Sequence, residues 1–578
     1  MVNRINGALK FNEQGVYSDT IKAVALANPI QFNVKSSDLQ TAVNVTGHAG
    51  ISDLRKQFKL PPWKVAEGAT DYRLTLSLPN GDTSPELLVQ SKLAGVALDL
   101  PGTLAKTREQ QRTLSMTFRL GDEALLPISL TYDNQLKAAI QFNIKNLLIE
   151  SGNVLVGAGN VAQPQKAGIW LEINRDRLAL HDWMGVASSL SHGKEIQTLG
   201  AMNSLKEIKV HSAHGIWKKV DLGFIDLTLR PEGNYWVGDT NSFIAKGKVK
   251  VPVDLDGSES ISLTMDALDF TPLKQMKSQG VALNPEQIPD AMPLVAITSQ
   301  KTLWQSVDLG QLNVETERIP HGIAFKRIEL AGVDQKLALS GDWKVSANQS
   351  ETHIQGSLNM PRVGQLLSKL DISKDLTETN AVIDFTGMWN GAPHQFSLAD
   401  LEGQIDVNLS SGRILGIEPG FGRVLGVLAI AQWIKRFQLD FSDVFDEGLT
   451  FIDITGHFSV LNGKATTNDL VVDAIPAKIS LTGNTDLINR TVDYLVKVVP
   501  KSADALPIAG TIMGKVTDLI GQVLTGKDQG GFFFGSQYLV KGGWGSVQII
   551  PLHEHEGLLQ KTWNSLTDFS WLPQSKEQ

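Results

Sequence analysis

Residues 71–78 read DYRLTLSL, and every second residue in this stretch is apolar. Tyr72, Leu74, Leu76 and Leu78 alternate with Asp, Arg, Thr and Ser. Successive side chains of a β-strand point to opposite faces, so the spacing predicts a strand with one apolar and one polar face. Strands of this kind build antiparallel sheets that pack on one side and meet water on the other.

The same alternation recurs along most of the chain. The apolar members of the further runs, which we expect to share one sheet face with residues 71–78, are Leu114, Met116, Phe118, Ile128, Leu130, Ile169, Leu171, Ile225, Leu227, Val249, Val251, Ile405, Val407, Leu409, Val492, Tyr494, Val496 and Val498. About 25 strands of ordinary length would account for the pattern. A sheet of that size has to curl or split, and its apolar face is buried either against another sheet or around apolar cargo.

Three segments carry helical periodicity instead. Residues 361–370 have one apolar helical face, and residues 419–437 and 505–525 are more apolar than an ordinary surface helix. The apolar positions of the last two segments are Val424, Leu425, Leu428, Trp433, Ile434, Ile508, Ile512 and Leu519. Both segments are too short and too interrupted, by Arg423 or Lys515, to span a bilayer. They either pack on the sheet as caps or contact a membrane surface with their apolar faces.

The composition excludes several classes of protein. The chain has 578 residues, of which 42% are hydrophobic, so it can fold around a large buried surface. It has no Cys, which excludes disulfides, thiol catalysis and Cys-ligated zinc. The net charge is -8 and no basic block stands out, so no nucleic-acid partner is expected. No apolar run is long enough for a transmembrane helix, and the first residues lack the apolar core of a signal peptide.

Two short motifs resemble ligand sites without the context that such sites need. Residues 157–162 match the glycine pattern of dinucleotide-binding turns, but Pro164 follows and no helical period begins there, so a turn is expected. His553 and His555 could hold a metal from one strand face, but the spacing of a helical zinc motif is absent and a solvated tail is the simpler interpretation. We predict no catalytic residue, no metal and no cofactor.

A more specific signature lies in the C-terminal third. Residues 412–420 follow the pattern G-x-[IL]-x-G-x-[DE]-P-G, and residues 423–428 follow R-[LV]-x-G-[LV]-L. Further matching elements are residues 439–448, 496–501 and 506–510, with weaker matches at 93–101 and 341–343. In these elements the chain resembles the C-terminal half of the YhdP-type members of the AsmA-like family, which are bridge-like lipid transfer proteins.

The resemblance implies a mainly β fold in which a long antiparallel sheet curls into an open apolar trough. It implies a trough segment at residues 1–400, a C-terminal region with capping or membrane-proximal helices at 401–550, and a polar tail at 551–578. Family members begin with an inner-membrane helix, so we expect the full-length protein to carry an anchor that this chain lacks.

The function implied by the resemblance is non-enzymatic. Family members move phospholipids between the inner and outer membranes through the periplasm and support the outer-membrane permeability barrier. The alternative is an envelope scaffold or an assembly factor for outer-membrane proteins, because a free sheet edge can pair with a strand of an envelope protein. In the first case the alternating apolar residues line the trough, and a charge such as Leu76→Asp or Val496→Asp is expected to block lipid passage.

Overall fold

The mainly β fold class is confirmed. The computed structural model describes residues 2–13, 15–58, 65–121, 124–146, 148–183, 205–217, 219–255, 258–272, 289, 292–346, 349–370, 376–377, 379–415, 449–475, 477–501, 537–544 and 546–552. Within these ranges the chain forms 36 strands, more than the pattern suggested, because several strands are only two to four residues long. The chain divides into unit 1, residues 1–282 and 293–304, and unit 2, residues 283–292 and 305–578.

Unit 1 contains the first 22 strands. Their bounds are β1 Asn3–Asn6, β2 Leu9–Asn12, β3 Gly15–Ser18, β4 Ile21–Ala25, β5 Asn28–Ser36, β6 Gln40–Gly50, β7 Ala66–Pro79, β8 Glu86–Ser91, β9 Val96–Leu98, β10 Leu114–Arg119, β11 Leu125–Tyr132, β12 Leu136–Asn143, β13 Leu148–Gly157, β14 Gly168–Ala179, β15 Leu205–Trp217, β16 Val220–Asp221, β17 Ile225–Glu232, β18 Tyr235–Asn241, β19 Ala245–Pro252, β20 Ser260–Asp269, β21 Leu294–Ser299 and β22 Thr302–Trp304.

The sheet of unit 1 is mixed rather than wholly antiparallel. Neighbouring strands pair antiparallel from β5 to β13, with β10 pairing β8, and again from β15 to β20 through β17. β14 pairs parallel to both β13 and β15, and β21 pairs parallel to β20. Parallel neighbours need a crossover connection, and residues 158–167 supply one between β13 and β14. Gly157 opens this crossover and no helix follows it, in agreement with the expected turn.

Unit 2 contains the remaining strands, and their pairing is antiparallel from β24 to β36. Their bounds are β23 Val307–Asp308, β24 Gln311–Ile319, β25 Gly322–Ala331, β26 Lys336–Ser346, β27 Gln349–Met360, β28 Leu376–Thr377, β29 Asn380–Asn390, β30 Glu402–Ile414, β31 Leu449–Leu461, β32 Lys464–Ala474, β33 Ala477–Asp486, β34 Thr491–Pro500, β35 Gln537–Gly543 and β36 Ser546–Leu552. Alternating burial along β31 and β34 shows one face turned inward, as the period-2 pattern predicts.

Helices are few among the described residues. They are α1, Ile51–Phe58, and α2, Val363–Lys369, with short 3₁₀ turns at Gly102–Leu104 and Pro393–Gln395. Residues 180–183 and 271–272 are also helical. The helix predicted at residues 361–370 is therefore confirmed. The helices predicted at 419–437 and 505–525, with all eight of their named residues, lie outside the described residues. No helix in the described part of the chain has the length and hydropathy that crossing a bilayer demands.

A buried carboxylate fastens α2 to the sheet of unit 2. Asp334 lies in the turn between β25 and β26, and its side chain is only 4% exposed. Its Oδ1 is 2.7 Å from Nη2 of Arg362, just before α2, and its Oδ2 contacts Nζ of Lys369 at the end of α2. Val363, Leu366 and Leu367 of α2 pack into the core cluster of unit 2. One acidic side chain therefore links the turn to both ends of the helix.

Replacing Asp334 with Ala is expected to loosen α2. The loss of two charged contacts costs roughly 1–3 kcal/mol, because the two cations keep about half their surface in water and are not left as buried charges. Hydrogen exchange of the amides of residues 366–370 should accelerate by about ten- to a hundredfold. Glu329→Gln, which removes an exposed carboxylate from β25, is the control. Equal exchange in the two variants would contradict the anchoring role.

The face of the unit 2 sheet that points away from its core carries histidine and aspartate side chains paired across neighbouring strands. His457 lies opposite Asp406, and its Nδ1 is 2.5 Å from Oδ2 of Asp469. Its Nε2 is 3.5 Å from Oδ1 of Asp406. The hydrogen bond to Asp469, followed by the negative charges of Asp469 and Asp406, raises the pKa of His457. This face is polar and solvated, as the alternation predicts.

NMR titration of His457 is expected to give a pKa above the ordinary value of about 6.5. Because the folded-state pKa is raised, the stabilisation from the imidazolium is complete below the ordinary value and is lost as the pH rises through the raised one. Asp469→Asn should move the midpoint down, because the hydrogen-bonded charge is removed. A midpoint at or below 6.5 in the unsubstituted chain would refute the pairing.

Candidate functional site

The apolar side chains of unit 1 form rows that run across the strands. Residues directly opposite each other on paired strands lie on the same sheet face, so the register connects one strand to the next. Row 1 consists of Val43, Leu76, Leu87, Phe118, Ile128, Ile140, Gly152, Ile169 and Leu205. Row 2 consists of Val45, Leu74, Val89, Met116, Leu130, Ala138, Val154, Leu171, Ile208, Leu229, Gly238, Val249, Leu263 and Ile297.

Row 3 lies beside row 2 and contains more polar and small residues. It consists of Gly47, Tyr72, Ser91, Leu114, Tyr132, Leu136, Val156, Ile173, Val210, Leu227, Thr240, Gly247 and Met265. The register places Gly47 in row 3, opposite Tyr72. A Cβ at this position would be 2.7 Å from the hydroxyl oxygen of Tyr72, so glycine fits here and a larger residue would clash. With strands about 4.8 Å apart, row 2 extends for about 60 Å from β6 to β21.

The register brings together the lining residues predicted in unit 1. Tyr72, Leu74, Leu76 and their counterparts on five further strands fall into the three rows, while Leu78, Ile225 and Val251 continue the same face outside them. Except for Ile225, which is 9% exposed, these side chains are not fully buried. An apolar face that stays partly exposed along many strands is suited to an apolar ligand.

One margin of this face is covered by the segment between β8 and β10. Leu93, Val96 and Leu104 are nearly inaccessible and pack with Tyr132 and Ile173 of row 3. The hydroxyl of Tyr132 donates a hydrogen bond to the carbonyl oxygen of Leu104 at 3.0 Å. Residues 93–101, the weaker of the sequence matches noted above, thus form a wall along row 3. Leu130 and Leu171 of row 2 also pack against this cluster, whereas no residue of row 1 does.

A buried ammonium group holds the wall in shape. Lys106 is 4% exposed, and its Nζ donates hydrogen bonds to the carbonyl oxygens of Leu93 and Thr107, at 2.7 and 2.9 Å, and to that of Val96. Burial, together with the charge of Arg112, lowers the pKa of Lys106. The dipoles of the three carbonyl groups compensate the buried positive charge. These hydrogen bonds tie Lys106 to both Leu93 and Val96 and so stabilise the fold of the wall segment.

The lining residues predicted in unit 2 also share one face, but they are more deeply buried. Leu409 and Val498 are connected by register through Ile454, Val472 and Ile479. The exposed fractions of Val407, Leu409, Val492, Tyr494, Val496 and Val498 are 8% or less, and Ile405 packs against the same cluster. Burial raises the pKa of Tyr494 to about 12, and its hydroxyl is 2.8 Å from Oγ1 of Thr485. Lipid contact in this unit stays a prediction.

The register adds lining positions that the sequence patterns did not single out. Val43, Leu87, Ile140, Val154 and Ile208 complete rows 1 and 2 between the predicted members. Their own strands also alternate, so the same period-2 criterion applied to shorter runs would have found them. Among the described residues no group of three or more acidic or histidine side chains is arranged to hold a metal ion.

Comparison with known proteins agrees with this architecture. The family model described as YhdP protein matches residues 1–546. The intermembrane phospholipid transporter YhdP of Escherichia coli (strain K12) is 23% identical to this chain over 219 residues. That alignment covers 38% of this chain and 16% of the relative, so the chain spans only a small part of the relative's length. Because the family model covers nearly the whole chain, the chain belongs to the YhdP family.

Proposed function

We propose that this chain carries phospholipids, with their acyl chains on rows 1 and 2 of unit 1, as a non-enzymatic part of an intermembrane transporter. The observation that carries the proposal is the continuity of these rows. Row 2 crosses from β6 to β21 without a charged side chain, while the opposite face is polar. The name of the Escherichia coli relative supports phospholipid as the cargo.

Hydrophobic burial supplies the affinity in this proposal. Each methylene group kept out of water contributes about 0.8 kcal/mol. An acyl chain on the rows shields the partly exposed side chains beneath it from water, and they shield the acyl chain. Apolar surface is therefore buried on both the lipid and the protein. Because rows 1 and 2 offer similar contacts from strand to strand, a lipid can shift along them without losing its apolar environment. The contact is distributed, so removing one methyl group should change little.

The setting that we propose is the periplasm, between the inner and outer membranes. Transport there would supply phospholipid to the outer membrane and so support its permeability barrier. An inner-membrane anchor belongs to this proposal, in agreement with the family resemblance. The division into a trough at residues 1–400 and a C-terminal region at 401–550 also stays a proposal.

Site-specific photo-cross-linking tests the lipid contact. A benzophenone side chain at Ile128, in row 1, should form phospholipid adducts in detergent-free protein. The same group at Ser129, the next residue and on the opposite face, is the matched control and should form few. Lipid extraction and native mass spectrometry should identify phospholipids on the purified chain. A folded protein without lipid, or equal adducts at both positions, would overturn the proposal.

A scaffold or assembly role is the second candidate, and one feature of unit 2 favours it. The inner face of unit 2 is already satisfied by its own core, and among the described residues β36 pairs only with β35. Ile550 on β36 is 45% exposed. A free strand edge can accept a strand from another protein. Cross-linking from Gln548 to an envelope protein, with no lipid adducts at Ile128, would favour this role.

A further inference from the structure

The crossover between β13 and β14 lies on the polar face of unit 1. It comprises residues 158–167 and follows the first glycine of the motif noted in the sequence. A Cβ at Gly159 would be 2.9 Å from Cδ2 of Leu155, so the backbone passes directly against that side chain, which is only 4% exposed. Leu155 follows Val154 of row 2 and therefore points to the opposite face. The crossover thus covers part of the face that does not carry the apolar rows.

Side chains of two strands hold the crossover against this face. Nζ of Lys137, on β12, donates a hydrogen bond to the carbonyl oxygen of Gly159 at 2.6 Å. Nδ2 of Asn153, on β13, donates a hydrogen bond to the carbonyl oxygen of Ala162 at 2.9 Å. Because the two contacts lie on either side of Asn160 in the chain, they fix the position of the segment between them.

A pocket of about 250 Å³ opens between the crossover and strands β13, β14 and β15. Trp170 on β14 lies opposite Asn153 on β13 and Glu207 on β15. Glu172 and Asn174 continue this face of β14, so an indole ring here departs from the polar alternation. The aromatic and polar side chains that line the pocket are Asn153, Asn160, Trp170, Glu172, Glu207 and Lys209.

Charges of both signs surround the pocket. The side chain of Glu207 is 15% exposed, and its Oε1 is 2.9 Å from Nζ of Lys209 while its Oε2 is 2.7 Å from Nη2 of Arg230. Burial opposes the ionisation of Glu207, but the hydrogen bonds from Lys209 and Arg230 outweigh it and lower its pKa. Glu172 lies opposite Lys209 and is exposed to solvent. The pocket therefore does not present a cluster of one charge to a ligand.

Hydrogen-bonding groups of both kinds line the same space. The amide nitrogen of Asn153 is engaged by the crossover, so its Oδ1 is the atom that can accept a hydrogen bond from a ligand. Oδ1 of Asn160 is 3.5 Å from Nζ of Lys137, so its Nδ2 is the atom that can donate one. The ionised carboxylate of Glu172 accepts only. Acceptors and a donor therefore share the pocket with one indole ring.

We infer that this pocket binds one ring of a neutral oligosaccharide, with the sugar packed against Trp170. A sugar ring combines hydroxyl groups, which both donate and accept, with C–H groups that pack on the negative face of an aromatic ring. The volume is below the range of about 300–1,000 Å³ that holds drug-sized ligands, so a single ring fits and the rest of the oligosaccharide stays outside. Asn160 and Glu172 are exposed, which leaves this exit open.

The lining disfavours other classes of ligand. An acyl chain would bury amides and a carboxylate without hydrogen bonds, which is costly. An organic cation could pack on Trp170, but it would meet the charge of Lys209, and Glu207 is already paired. The pocket and rows 1 and 2 lie on opposite faces of the sheet, so the inference does not rest on the proposed function, and a sugar does not compete with a lipid.

Ligand-observed NMR titrations of the full chain test the pocket with two neutral probes, cellobiose and N,N′-diacetylchitobiose, and with choline as an organic cation. At least one disaccharide should bind. Trp170→Ala should weaken that binding by about tenfold, and Trp170→Phe should recover most of it because an aromatic ring is kept. Glu172→Gln, at an exposed position, should weaken it by about threefold. Trp236→Ala removes a partly exposed indole from the other face of the sheet, on β18, and is the matched control that should bind normally.

Each outcome bears on the site. Binding of either disaccharide that depends on Trp170 supports it, and the ratio of the two affinities shows whether acetamido groups are recognised. Absence of binding of both disaccharides to the folded, unsubstituted chain would overturn it. Choline binding as tight as that of the disaccharides would assign the pocket to a cation instead. Unchanged binding in Trp170→Ala, or equal losses in Trp170→Ala and Trp236→Ala, would place the sugar elsewhere on the chain.

Discussion

An aspartate at position 128 is expected to stop lipid transfer while leaving the chain folded. Ile128 lies in row 1 between Phe118 and Ile140, and its side chain is partly exposed. A carboxylate there can stay hydrated in the lipid-free protein, so stability changes little. When an acyl chain reaches it, the carboxylate must lose water, which costs several kcal/mol. Transfer between donor and acceptor vesicles should fall by about a hundredfold or more.

Ser129→Asp is the control for this substitution. It introduces the same carboxylate one residue away, on the polar face of the same strand. Its transfer rate should match that of the unsubstituted chain. Leu76→Asp, in the same row, should reproduce the effect of Ile128→Asp. Normal transfer by both row 1 variants, in folded protein, would remove the rows from the lipid path.

Val496→Asp is expected to unfold unit 2 rather than to block a lipid path. Val496 is fully buried, opposite Leu481 and Tyr538. An aspartate there loses the valine contacts and buries a carboxylate among apolar side chains. The combined cost is several kcal/mol, comparable with the 5–15 kcal/mol that stabilises an ordinary domain. Limited proteolysis should cleave within β31–β36, and hydrogen exchange in these strands should approach that of an unfolded chain.

Leu495→Asp is the control variant. It introduces the same carboxylate at an exposed position, so it separates the effect of burial from the effect of the aspartate itself. Leu495 is the preceding residue, points to the other face of β34, and is 39% exposed. Its aspartate variant should stay protected in β31–β36. Equal damage in the two variants would mean that β34 does not tolerate aspartate on either face. Normal protection of β31–β36 from hydrogen exchange in Val496→Asp would contradict the conclusion that the core of unit 2 is fully buried.

Period-2 alternation was sufficient to predict the fold class and the shared face. Leu74, Met116, Leu130 and Leu171 come from four separate runs, and the register places them in one row. This success has a physical basis, because a strand that is apolar on one side has only one way to present that side in a sheet. The pairing of two strands joined by one hairpin also depends only on sequence that is close along the chain.

Burial depth and the parallel pairs were not predictable from the same pattern. Ile128 and Val496 alternate identically in sequence, but only Val496 is enclosed by its unit's core. The side chains that bury a given position come from segments distant in sequence; Leu104, for example, packs with Tyr132. The parallel pairing of β14 depends on its crossover connection. The sequence does mark where the apolar face ends, since Arg175 continues the spacing of Ile169, Leu171 and Ile173 with a charge.

The register also makes the length of the apolar rows a variable that evolution can adjust in small steps. Each strand from β10 to β13 contributes one residue to each row and pairs with its neighbour in the chain. Duplication of one hairpin would lengthen a row by two side chains, about 10 Å, without moving any face from inside to outside. Loss of a single strand would instead reverse the direction of every antiparallel neighbour after it. Under the proposed function, relatives that span different distances should therefore differ by whole hairpins.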